Sequence, residues 1–148
     1  MIFIVTTVFV FVLDYFVKRW AEREFAGKDR KKIGKSGFSL KFTKNYGFAL
    51  NKLDKKPALV KGIHFAVVVF LAWHGTAAAF FQKGKEWVAL GMAFVLGGGI
   101  SNLYDRLKKG YVVDYLGLPG IPKLLFNLSD LFVFLGAVIV FVAELFGE

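Results

Sequence analysis

Four runs of apolar residues, each near the length that crosses a bilayer, leave this chain few folds to choose from. They cover about 2–20, 58–81, 87–107 and 126–146, and a helix of roughly 20 apolar residues spans the hydrocarbon core. The first reaches that length only with its flanks. Composition agrees: 56% of the 148 residues are hydrophobic, 18% are aromatic and the mean hydropathy is +0.54, more apolar surface than a soluble chain of this size can bury. The expectation is one integral membrane domain over 1–148, all-α across the membrane. The segments of about 21–57 and 108–125 lie together on one side of it.

The first run has the length of a secretory leader. It lacks a basic start, however, and KRWAEREF follows it in place of a small-residue cleavage site, so it reads as a retained span with Trp20 at the interface. Asp14 lies near its far end and admits two readings. It is either a carboxylate close enough to the surface to be hydrated, or paired with Lys18 at i+4, or else a buried polar link to groups further along the chain.

Charge is concentrated after this span. The net charge is +9, and 13 of the 20 Lys and Arg fall between Lys18 and Lys56. A basic block implies a polyanion. Beside four spans, the anionic headgroups of membrane lipids fit better than nucleic acid. Within the block Phe38, Leu40 and Phe42 alternate with Ser39, Lys41 and Thr43, the period of a half-buried strand. Asn45-Tyr46-Gly47 then signals a turn. These features predict a small β-sheet on the membrane face, its aromatic side toward lipid or substrate.

Pro57 suits the first turn of the second helix. Over 58–81 the only ionisable groups are Lys61, His64 and His74, and neither histidine has a second ligand at metal spacing. There is no cysteine, which excludes disulfides and thiolate metal sites. Neither a metal nor a cofactor is expected.

Polar groups gather instead between Gly97 and Asp130: three carboxylates (Asp105, Asp114, Asp130), Asn102, Asn127 and Arg106. Such groups are costly in lipid, and together at one depth they mark a functional site. Each piece also has a plain structural reading. Asn102, Asp105 and Arg106 share a helix face at i,i+3 and i,i+4, and Asp105-Arg106 could be a pair snorkelling at a helix end. Gly97 and Ser101 are a small-xxx-small spacing that admits a close helix. Tyr111 to Tyr115 reads as a short strand with Asp114 opposite Val113. Pro119-Gly120 marks a turn. Asn127 with Asp130 three residues later mimics a helix-capping box.

The combination is more specific than its parts. Leu13, Asp14 and Lys18; Asn45, Gly47 and Ala49; Asn102, Asp105 and Arg106; Gly110, Val113 and Asp114; and Phe126, Asn127 and Asp130 occur in that order over nearly the whole chain. This pattern resembles the lipoprotein signal peptidases (signal peptidase II), the membrane aspartic proteases of bacteria. The resemblance implies cleavage of a prolipoprotein just before a cysteine that carries diacylglycerol. It matches Asp114 and Asp130 to the catalytic dyad, and Asp14, Lys18, Asn45, Gly47, Asn102, Asp105, Arg106 and Asn127 to residues that bind substrate or brace the site. It also implies the cell membrane, with cytoplasmic termini and an extracytoplasmic site; a monomer is expected. Ser101 and Ser129 stand where the family has glycine and alanine, and Phe48 and Leu50 enlarge the N-Y-G-F-A-L motif. The connector between the aspartates is short. These departures mark a divergent member and remove no carboxylate.

The chemistry stands without the name. Two carboxylates held close together share one proton. One can take a proton from water while the other gives one to the carbonyl or the leaving amine. Two rivals exist. A small multidrug-type transporter would also have four spans and an acid in the first, but the long basic loop and the carboxylates on one side of the membrane argue against it. A silent lipoprotein-binding homologue is opposed by the intact aspartates. Topology divides the arguments. The positive-inside rule places the basic loops in the cytoplasm, the resemblance places them outside, and five ordered motifs outweigh a charge bias.

Overall fold

A computed structural model describes residues 1–48, 52–121 and 124–147. Its four helices are α1 (Ile2–Phe25), α2 (Pro57–Phe81), α3 (Glu86–Lys108) and α4 (Leu128–Leu145). Between α1 and α2 lie strands β1 (Lys31–Lys32) and β2 (Ser39–Asn45). Between α3 and α4 lie β3 (Val112–Gly117) and β4 (Leu125–Phe126).

The other three helices all pack on α3. Half of its apolar window (50%) is buried, against 17% for α2 and for α4. Contacts along it order the bundle. Phe3 packs with Ala93 and Leu96, Val10 lies against Gly97, and Lys18 reaches Asn102, so α1 runs parallel to α3. The other two run antiparallel. On α4, Ser129 meets Gly98 and Gly136 meets Gly91; on α2, Val68 meets Gly99 and Gly75 meets Met92.

Glycine sets how close these backbones come. A Cβ on Gly98 would stand 2.6 Å from the Ser129 carbonyl oxygen, and one on Gly97 would stand 2.7 Å from the Val10 Cβ. Neither distance is sterically open, so Gly97 and Gly98 are where α1 and α4 converge on α3. The next turn of α3 carries Ser101 and Asn102 between them.

By length and composition α2, α3 and α4 are apolar enough to cross a membrane. The second half of α1 is diluted by Asp14, Lys18 and Arg19, yet Asp14 and Lys18 are 0% and 2% exposed. Their charges point into the protein. The outward faces carry exposed Phe9, Phe16, Phe65, Phe70, Phe134 and Phe141, the surface that lipid covers. The chain is a multi-pass membrane protein.

The four strands form one antiparallel sheet in the order β1-β2-β3-β4. Pairing of Asn45 with Val112 and of Thr43 with Asp114 brings the Asn45 turn beside Asp114. The strand expected at 111–115 is present and runs on to Gly117. One face of the sheet sits on the end of α1. Val113 and Tyr115 pack with Ala21 and Phe25, and Leu40 and Phe42 join them. The expectation that the aromatic side of β2 would face lipid or substrate is therefore corrected: the last turns of α1 supply an apolar surface that buries it. Strands β1 and β4 were not legible, because two residues carry no alternation. The fourth helix starts at Leu128 instead of 126, with Phe126 in β4 and Asn127 as cap.

Candidate active site

Beneath β3, between α2, α3 and α4, lies a cavity of about 510 Å³. Asp114, Asp130, Asn45, Asn102, Arg106 and His64 are its polar wall; the rest is aliphatic and aromatic.

The two carboxylates reach it from different elements. Asp114 is on β3, whose alternation sends Val113 and Tyr115 to α1 and Asp114 to the cavity. Asn45 Nδ2 donates to its Oδ2 at 2.9 Å, and Asn127 Nδ2 donates to its Oδ1 at 2.8 Å. Asp130 is in the first turn of α4. Its Oδ2 accepts from the Asn127 backbone N–H at 3.2 Å, while Asn127 Oδ1 accepts from the Asp130 N–H at 3.0 Å. Its Oδ1 accepts from Asn102 Nδ2 at 3.0 Å. The capping box and the polar site are thus the same geometry: the cap fixes the Asn127 side chain, which also donates to Asp114 and to Asn102 Oδ1.

Burial raises the Asp114 pKa to about 7, and the neighbouring Asp130 charge adds to the rise; the two asparagine donors and Lys18 oppose it. An acid poised near neutrality beside a second carboxylate is the arrangement in which a pair holds one proton.

Asp14 is not hydrated: it is fully buried, paired with Lys18 and linked to groups further along the chain. The ion pair with Lys18 is 2.8 Å long, and both partners are buried. Asp14 also accepts from the Ser129 N–H at 2.9 Å and from the hydroxyls of Ser101 and Ser129. Lys18 donates to Asn102 Oδ1 at 2.7 Å. That donation settles which end of the Asn102 amide faces Asp130, because its NH2 group is the end left over. A buried ammonium behind the site therefore orients an amide within it.

The pairing expected between Asp105 and Arg106 is absent. Asp105 turns toward α1 and β3, where it meets Lys18 at 3.4 Å and Lys109 at 3.5 Å and accepts from the Val113 N–H at 3.2 Å. Arg106 turns toward the cavity. Its Nη2 donates to the Gly47 carbonyl at 2.6 Å, and its Nη1 lies 3.1 Å from His64 Nδ1 and 3.5 Å from the Asn102 carbonyl. Successive residues on a helix point about 100° apart, so adjacent side chains seldom pair. Gly47 is joined to the site through this carbonyl, and its N–H donates to Asn45 Oδ1 at 3.1 Å. Ala49 and Leu50, part of the same motif, lie outside the described residues.

Sequence reasoning missed three participants. Ser101 and Ser129 were noted as departures; both converge on Asp14, and the i+4 spacing of Gly97 and Ser101 was the available signal. His64 was weighed only as a metal ligand, and nothing local marked it as a neighbour of Arg106.

The class that this fold and site define is that of a membrane-embedded aspartic endopeptidase. The model of signal peptidase (SPase) II matches residues 6–146, and the chain belongs to that family. Among its relatives, the lipoprotein signal peptidase of Caldicellulosiruptor bescii is 30% identical over 133 residues, covering 90% of this chain and 83% of that one. That of Streptococcus agalactiae serotype V is 28% identical over 142 residues, covering 94% and 88%. A solved bacterial membrane enzyme superposes with a TM-score of 0.80 over 99% of this chain and 94% of its own, at 19% identity. A second does so with 0.78 over 97% and 87%, at 18%. At that identity the two structures speak for the fold alone.

Proposed function

We propose that Asp114 and Asp130 are the catalytic dyad of an endopeptidase that cuts diacylglyceryl-modified prolipoproteins immediately before the lipid-bearing cysteine. The observation that carries this is the convergence of both carboxylates on one cavity, each held by asparagine amides. Asp114, protonated near neutrality, gives its proton to the scissile carbonyl. Asp130, whose carboxylate accepts a backbone N–H and the Asn102 amide, takes a proton from the attacking water. In collapse of the tetrahedral intermediate Asp130 passes that proton to the leaving amine as the C–N bond breaks, and Asp114 takes its own proton back from the gem-diol hydroxyl. The apolar walls of the cavity suit a signal peptide and acyl chains entering from the bilayer.

Asp14, Lys18, Asn102, Asn127 and Asp105 hold the dyad and the strand that carries Asp114, and Arg106 with Gly47 holds the Asn45 turn. Apart from the buried Lys18, the basic residues of 18–56 would rest on anionic headgroups at the extracytoplasmic surface, with both termini cytoplasmic. The test is incubation of the purified protein with a diacylated lipobox peptide and mass analysis of the product. A single cut before the modified cysteine is expected. Uncut peptide, or equal cutting of the unacylated one, overturns the reading.

A further inference from the structure

One polar side chain in the cavity wall has no part in the chemistry above. His64 is the only polar residue that α2 contributes to that wall. Its Nδ1 lies 3.1 Å from Arg106 Nη1. Arg106 has only donors, so the imidazole nitrogen facing it accepts. The ring is then neutral and carries its proton on Nε2, away from Arg106.

We infer that His64 is a positioning residue for the cleavage reaction, acting through Arg106 and the Asn45 turn on Asp114. The chain of contacts is continuous. His64 Nδ1 holds Arg106 Nη1. Arg106 Nη2 holds the Gly47 carbonyl at 2.6 Å. Gly47 N–H is held by Asn45 Oδ1 at 3.1 Å, and the Nδ2 of the same amide donates to Asp114 at 2.9 Å. Arg106 depends on its two terminal nitrogens for this, since its buried Nε has no hydrogen-bond partner among the described residues. The remaining partner of Nη1, the Asn102 carbonyl, is distant at 3.5 Å. Without His64 the guanidinium keeps the Gly47 carbonyl and the Phe48 ring face but loses the nearer acceptor of Nη1, so the turn it clasps is held less firmly to α3. A buried donor left without its acceptor also favours movement of the guanidinium. A small displacement of Asn45 changes the setting of Asp114, and reacting groups are sensitive to such displacements.

The inference rests on the assignment of Asp114 as a dyad member, and the experiment separates the two. In membranes or detergent, with a diacylated lipobox peptide, His64→Leu should lower kcat by about 10–100-fold with KM within about threefold, because the ring orients a group and does not grip substrate. His64→Asn should restore most of kcat, since its Oδ1 stands where Nδ1 stood. His64→Gln, which carries its amide one bond further out, should not. In a cycle with Arg106→Lys, adding His64→Leu should lower kcat by less than about twofold, because residues acting in series are non-additive. A near-normal kcat in His64→Leu, an Asn variant no better than Leu or Gln, or full additivity with Arg106→Lys would overturn the inference. If the Leu variant does not fold, the Asn and Gln variants decide it. Loss of the dyad assignment would show separately, as cleavage by Asp114→Asn.

Discussion

Asp114 has both carboxylate oxygens occupied by asparagine donors and still sits near neutrality in pKa, at about 7, because burial and the adjacent Asp130 outweigh those donors. Asp→Asn keeps the shape and cannot relay a proton. Asp114→Asn and Asp130→Asn should each abolish cleavage, with the double variant hardly worse, as expected of groups acting as a unit. Asp105→Asn should slow turnover without ending it, since Asp105 braces the Val113 backbone and takes Lys18 and Lys109. Peptide cleavage by the folded variants is the measurement. The same pKa sets a pH dependence. The folded-state value of Asp114 is raised, so the folded protein binds more protons than the unfolded chain from about pH 4 to pH 7. Stability then falls as pH rises through that window. Activity should fall above pH 7 as the shared proton leaves. Thermal midpoints should be lower at pH 8 than at pH 5, and the difference should shrink in Asp114→Asn. Equal midpoints in both proteins at both pH values would contradict this.

Among the elements, α3 is the one that the others converge on, and Gly97 and Gly98 control that convergence. Gly98→Val puts a branched side chain where even a Cβ would lie 2.6 Å from the Ser129 carbonyl oxygen. Overpacking of this kind costs roughly 1–3 kcal/mol. It would also move Ser129 away from Asp14, so a lower melting temperature and weak cleavage are expected together. A fully active Gly98→Val of unchanged stability would mean that α4 can shift without disturbing the site. Arg106→Ala has a different signature. No carboxylate forms an ion pair with Arg106 among the described residues, so its loss strands no paired buried anion. It frees the Gly47 carbonyl and removes a charge whose field reaches Asp114 and Asp130. Cleavage should fall by more than about tenfold while stability drops by roughly 1–3 kcal/mol, the scale of a lost buried hydrogen bond to a charged group. Loss of folded yield with full specific activity would reverse that ranking.

For the whole molecule, the open issue is which side of the membrane carries the sheet. Parallel α1 and α3, with α2 and α4 antiparallel to them, bring both inter-helix strand segments to one end, where the cavity opens beneath β3. The positive charge collects at that end too. On the proposed function, a substrate whose modified cysteine emerges on the outer side would put the site there. The chain has no cysteine of its own, so Lys35→Cys on the exposed loop before β2 reports the side directly. It should react with an impermeant thiol reagent in intact cells; reaction only after the cells are opened would turn the protein over. Here the charge bias and the site disagree, and the site is the stronger argument, because basic groups can be held by outer-leaflet anions.

The spans were legible because lipid imposes length and apolarity on any crossing helix, and both are local properties of the chain. The aspartates, asparagines and Arg106 stood out for the same reason, as expensive groups in an apolar setting. Strand β2 and Asp114's side of β3 were readable from alternation. What the sequence left open was which polar group meets which. The i,i+1 neighbours Asp105 and Arg106 looked like a pair, but the helix turns them about 100° apart, one to Lys18 and the Val113 N–H, the other to Gly47 and His64. Ser101 and Ser129 looked like departures until α1 brought Asp14 between them. Residues 14, 101 and 129 meet only because Gly97 and Gly98 let α1 and α4 close on the same turn of α3. Apolar periodicity is set by the solvent around each segment and can be read along the chain. Hydrogen-bond partnership is set by the approach of separate segments, and only the packed structure decides it.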